Sequence, residues 1–197
     1  MKFKLLGTEI YISFLFTAVI AFMLATDRTG LALPTLCAVL LHETGHLLAM
    51  WTLECNPKSV SLIPASAKIT MPFSKNFRND IIIAVCGPAV NFLVFGVLYF
   101  NHLCFGSNVS LYYGLVNLLI GLFNSMPVKG LDGGTVLFTA LAKKGDVNKA
   151  ELTVRLIAVA VAVAVMFLAV WVTVKVKFNP TLYIVGIYLL ISAIIKI

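Results

Sequence analysis

Residues 31–50 read LALPTLCAVLLHETGHLLAM. The run is apolar for most of its length and long enough to span a bilayer, which takes roughly 20 mostly apolar residues. Near its end it sets His42, Glu43 and His46 within about two turns of a helix. An ionisable side chain inside a spanning helix costs several kcal/mol on insertion scales, so such groups usually have a functional reason. Residues four apart lie about one helical turn apart, which turns both imidazoles to the same side. His-Glu-x-x-His is a zinc-peptidase pattern: two neutral imidazoles bind one Zn²⁺, while the glutamate can reach a water without ligating the metal.

The rest of the chain places this stretch in a membrane. Of 197 residues, 60% are hydrophobic and 12% charged, with a mean hydropathy of +1.01. A soluble domain carries about 25% charged residues. Too few polar residues remain for a separate soluble domain, so the expected architecture is one membrane domain over 1–197. The net charge of +7 comes from basic residues lying between apolar runs, where they act as topology signals. They form no basic face, which argues against nucleic acid as a partner. Cys37, Cys55, Cys86 and Cys104 include no Cys-x-x-Cys pair and read as packing residues, not a disulfide frame or zinc cluster.

Apolar runs predict six transmembrane helices, at about 10–25, 31–50, 81–100, 111–126, 156–174 and 182–195. The first could pass for a signal peptide, but Ala25-Thr26-Asp27 is a poor cleavage site, so a retained helix is expected. With the N-terminus in the cytoplasm, twelve of the lysines and arginines fall on the cytoplasmic side and three, Arg28, Lys175 and Lys177, on the other. That bias puts both termini of a multi-pass cell-membrane protein in the cytoplasm. Residues 59–72, SVSLIPASAKITMP, alternate apolar positions at Val60 and Leu62 and again at Ala67, Ile69 and Met71. With a turn at Pro64–Ser66, this is the period of a short membrane-associated β-hairpin after the second helix. The expected fold class is therefore an all-α polytopic membrane protein with one added hairpin.

A catalytic zinc usually has three protein ligands and one open position. His102 lies toward the far end of the third run, on the side opposite His42 and His46, and reads as an interfacial histidine. Asp132 follows the fourth run, which returns to the cytoplasmic side. It sits in Asn124-Ser125-Met126-Pro127-Val128-Lys129-Gly130-Leu131-Asp132-Gly133-Gly134. Pro127 and Gly130 break the helix, and Gly133 and Gly134 permit close backbone approach or a positive φ. Such a turn could aim the Asp132 carboxylate back at the histidines, or Asp132 could simply cap a helix. The residues alone leave both open.

Three elements together resemble the site-2 protease family of intramembrane zinc metalloproteases. They are His42-Glu43-x-x-His46, then Gly87-Pro88-Ala89-Val90-Asn91, then Asn124-x-x-Pro127-x-x-x-Leu131-Asp132-Gly133. They occur in the family's order between about Leu36 and Thr135. The resemblance implies Asp132 as third ligand of one Zn²⁺, Glu43 as general base, and Asn124 as a hydrogen-bond donor to substrate or oxyanion. Asn91 is a lesser candidate for that role, or a link between helices. The resemblance is to the small bacterial type, including sporulation sigma-factor processing proteases. The chain has no counterpart of the family's PDZ or CBS domains, and it has Gly130 where such proteins often have proline.

The expected reaction is hydrolysis of peptide bonds in or near transmembrane segments. The expected partners are a transmembrane protein substrate and the lipid bilayer, with a regulatory membrane protein a further candidate. One competing reading is a membrane metallopeptidase acting on soluble or lipidated peptides, which would take a glutamate as third ligand; the later chain offers Glu151. Another is a metal or proton transporter, but the fifth and sixth runs lack the polar residues a conduction path needs. An inactive scaffold would not need Glu43 beside two histidines.

Overall fold

The computed structural model describes residues 2–5, 8–55, 59–63, 66–70, 76–143, 145–175 and 180–194. It divides the chain into two compact units, Met1–Leu122 and Phe123–Ile197.

The first unit opens with strands β1 (Lys2–Leu5) and β2 (Thr8–Ile12), paired antiparallel from Lys2 with Tyr11 to Leu5 with Thr8. In the stretch read as a hairpin, β3 (Ser59–Ile63) and β4 (Ser66–Thr70) pair antiparallel, Ser59 opposite Thr70 and Ile63 opposite Ser66. Pro64, Ala65, Met71 and Pro72 lie outside the described residues. β2 runs parallel to β3, giving one sheet in the order β1-β2-β3-β4. The two N-terminal strands were not anticipated. The apolar run read as a helix from Ile10 starts with a strand, and α1 covers Phe14–Thr26. Ile10 and Ile12 suit either a helical or a two-residue period, so the choice fell to strand pairing.

α2 covers Ala32–Thr52. Its start is held by Asp27, whose carboxylate accepts from the Ala32 backbone N–H at 2.8 Å and from the Thr29 N–H and hydroxyl at 2.8 and 2.7 Å. These bonds, the one from Ala32 first, pull the Asp27 pKa down to about 2. α3 covers Phe77–Phe105 and is capped by Asn76, whose side chain accepts from the Arg78 N–H at 3.2 Å. α4 covers Asn108–Asn124. The helices of this unit meet through glycine. A Cβ on Gly45 of α2 would stand 2.6 Å from the Cys86 carbonyl oxygen of α3, and one on Gly121 of α4 would stand 2.9 Å from the Phe92 ring. Small residues at such crossings let backbones approach, as in membrane helix packing.

The second unit holds the turn after α4 and then α5 (Asp132–Ala142), α6 (Val147–Lys175) and α7 (Pro180–Ile194). α5 was read as part of a loop. Its core is Val128 and Leu131 from the turn, Ala158 and Ala162 from α6, and Leu189 and Ala193 from α7. The four-residue spacing on α6 and α7 puts each pair on one helical face. Ile195, assigned to the last helix, lies outside the described residues.

Among the described residues, α2, α3 and α6 are long and apolar enough to cross a membrane. α1, α4 and α7 have 13, 17 and 15 residues, shorter than a full untilted span. Leu93, Phe100, Phe167 and Val174 are exposed on the long helices, which suits contact with lipid better than contact with water.

Candidate metal centre

The first unit builds a histidine pair. His42 and His46, four residues apart on α2, are 4% and 7% exposed. Their Nε2 atoms are 3.1 Å apart, with the rings edge to face. The other nitrogen of each ring meets an oxygen of α3: His42 Nδ1 lies 2.7 Å from Asn91 Oδ1, and His46 Nδ1 lies 2.8 Å from the Ile83 carbonyl. A carbonyl oxygen can only accept, so each Nδ1 donates, and in the neutral imidazole that leaves Nε2 as the nitrogen able to ligate a metal. Two nitrogens that close can both serve one cation. Zinc–nitrogen bonds are about 2.0–2.1 Å, so nitrogens 3.1 Å apart could both ligate one ion. The donor chemistry therefore fits zinc. Glu43, next to His42, is half-buried.

α3 is shaped around these rings. A Cβ on Gly87 would overlap the His46 ring and stand 2.9 Å from His42 Cε1. Pro88 has no N–H to give to the Ala84 carbonyl one turn earlier, next to the Ile83 carbonyl that receives His46. Asn91 is fully buried. Its Nδ2 donates to the Ala38 carbonyl and to Asn117 Oδ1, both at 3.0 Å. The amide of Asn91, expected to bind substrate or to link helices, thus lies among α2, α3 and α4.

The second unit carries Asp132 as the first residue of α5, half-buried. A Cβ on Gly133 or Gly134 would strike the backbone carbonyls of Ser125 and Val128. These two glycines therefore serve close approach, while the positive φ belongs to Gly130, at 90°. Asn124, the last residue of α4, is half-buried. Glu151, which the competing peptidase reading would need as ligand, is partly exposed and pairs with Lys129 at 3.2 Å. His102 Nδ1 meets the Ser107 carbonyl at 3.0 Å, a link across the α3–α4 connection. All four cysteines are free thiols.

Sequence reasoning missed the parts played by Gly87 and Asn117. Gly87 was visible only as a member of a motif, and Asn117 only as an amide inside an apolar run.

No family model matches the chain. Over 154 residues it is 27% identical to a curated zinc metalloprotease of Methanocaldococcus jannaschii, with 72% of this chain and 45% of that one covered. The chain thus spans less than half the length of that relative. Its fold matches a solved site-2 protease from Methanocaldococcus jannaschii with a TM-score of 0.70 at 22% identity, over 100% of this chain and 97% of that one. The chain has the fold of a site-2 protease, and in sequence it is a relative of a zinc metalloprotease.

Proposed function

We propose that this protein is an intramembrane zinc metalloprotease that hydrolyses peptide bonds in or near transmembrane segments. One observation carries the reading. His42 and His46 bring their Nε2 atoms to within 3.1 Å of each other, beside Glu43, in a chain with a site-2 protease fold.

His42, His46 and Asp132 would hold one Zn²⁺. The support for Asp132 is its carboxylate chemistry and its place after the glycine-dependent turn. Bound zinc supplies Lewis acidity and lowers the pKa of water toward about 7. Glu43 accepts the proton of the attacking water and returns it to the leaving amine nitrogen, a transfer typically worth 10²–10⁴-fold. Asn124 donates a hydrogen bond to the scissile carbonyl oxygen as negative charge develops on it.

The topology we propose has six spans, formed by α1, α2, α3, α4, α6 and α7, within one catalytic domain of a multi-pass cell-membrane protein. Both termini face the cytoplasm, on the strength of the charge bias. The short spans would tilt or thin the bilayer locally. A helical substrate has its backbone hydrogen-bonded to itself, so it must be unwound before cleavage. β4 ends the strand order, so its outer edge could take the substrate as an added strand. The substrate is a membrane protein, and a regulatory membrane protein is a further partner.

The test is zinc content and cleavage of a model transmembrane substrate by the chain purified in detergent. Wild type and Glu43→Gln should both bind zinc, and only wild type should cleave. Asp132→Asn should weaken zinc binding. Cleavage by Glu43→Gln at the wild-type rate rejects the base, and unchanged affinity in Asp132→Asn removes it from the ligands.

A further inference from the structure

We infer that Asn91 and Asn117 form a buried amide relay that fixes the tautomer of His42 and so aims its Nε2 lone pair at the metal. The inference rests on the zinc reading above, but its first test needs no metal.

The argument is one of forced donor and acceptor roles. Asn117 Nδ2 lies 2.9 Å from the Tyr113 carbonyl, a group that can only accept. The Asn117 amide nitrogen must therefore face Tyr113, which leaves Oδ1 toward Asn91 at 3.0 Å. Asn91 must answer with its Nδ2, which also faces the Ala38 carbonyl at 3.0 Å. Two acceptors thus hold the Asn91 amide nitrogen, and its Oδ1 is turned to His42 Nδ1 at 2.7 Å. A histidine facing that oxygen has its hydrogen on Nδ1 and its lone pair on Nε2. The order of dependence runs from the α4 backbone through two amides to a ring on α2.

Burial makes the roles strict. Asn91 and Asn117 are 0% and 2% exposed, so water is poorly placed to replace a lost partner, and an unmet buried polar group costs about 1–3 kcal/mol. A flipped Asn91 amide would set Nδ2 against a hydrogen-bearing Nδ1 and its oxygen against two acceptors. The amide of Asn91 is thereby assigned to positioning, away from substrate. Partners of this kind on metal-binding histidines typically change affinity by about 10–100-fold when removed.

The full chain is tested in detergent, as wild type, Asn91→Leu, Asn91→Asp and Asn117→Ala, each in a His102→Gln background so that only two imidazoles are observed. The first readout is the ¹⁵N spectrum of the rings without metal. Wild type should show His42 with Nδ1 protonated and Nε2 bare, and Asn91→Leu should show the two tautomers mixed. The second readout is zinc affinity by chelator competition. Asn91→Leu should lose about 10–100-fold, and Asn117→Ala should lose less, because Ala38 still holds Asn91. Asn91→Asp keeps an acceptor for His42 Nδ1, so its ring spectrum should hold the Nδ1-protonated form even though its second oxygen faces the Ala38 and Asn117 acceptors and lowers stability; a mere link between helices would lose the tautomer. If the buried carboxylate prevents folding, the ring spectrum of Asn117→Ala decides, and some mixing of His42 tautomers is expected there. A His42 ring unchanged in both Asn91→Leu and Asn117→Ala overturns the relay. Absence of zinc binding by wild type overturns the metal reading instead, and the spectra still decide the relay.

Discussion

Gly87 on α3 lies against the imidazole of His46 on α2, and a methyl group at that position would overlap the ring. Gly87→Ala should therefore displace the ring nitrogens proposed as metal ligands. It should weaken zinc binding by at least the 10–100-fold expected for a disturbed ligand environment. Gly96→Ala is the control, since nothing lies within 4 Å of a Cβ there; it should leave zinc binding alone and gain up to about 1 kcal/mol of helix propensity. Equal zinc affinities for the two variants would mean the rings have room to spare.

The turn before Asp132 is predicted to tolerate neither alanine nor proline at Gly130. At φ 90°, a side chain costs about 1–2 kcal/mol, so Gly130→Ala should lower the thermal midpoint. Gly130→Pro should do more harm, because the ring locks φ near −65°. A midpoint for Gly130→Pro at or above that of wild type would contradict this.

Asp27 should make the α1–α2 connection acid-sensitive. Its pKa falls from 3.8 to about 2 on folding, so the native state binds the proton less well than the unfolded one. The stabilisation is complete above the unfolded value and is lost as pH falls through about 2. Asp27→Ala should lower the midpoint at pH 7 and make little difference at pH 2. An equal deficit at both would locate the effect in packing.

Metal removal should destabilise the chain. A ligand present at a thousand times its Kd stabilises by about 4 kcal/mol. With His46 as a proposed ligand, a chelator should lower the midpoint of wild type and Glu43→Gln alike, and leave His46→Ala unmoved. A shift in His46→Ala equal to that of wild type would place the metal elsewhere.

Strand capture of substrate predicts a separation of functions. Proline at Val60, Leu62, Ile69 or Met71 should cut turnover sharply while zinc content holds, because the first three lie in β3 or β4 and Met71 follows Thr70. Full activity in all four would exclude edge docking.

Membrane character, most of the helices and the histidine pair were legible in the chain because each depends on neighbours in sequence. Apolar length alone predicts a span, and a four-residue spacing alone puts His42 and His46 on one face. The spacing could not say which ring nitrogens point inward. That depends on acceptors 49 and 37 residues away, Asn91 and Ile83, and on the glycine that lets α3 approach. The strands at the N-terminus were illegible for a similar reason. Ile10 and Ile12 satisfy two periods, and the choice between them is made by pairing with β3, some fifty residues later. What tertiary structure alone decided is therefore which ring nitrogens face carbonyl and amide oxygens. Hydrogen-bond roles are set by whichever partner is fixed, and here the fixed partners are backbone carbonyls on three different helices.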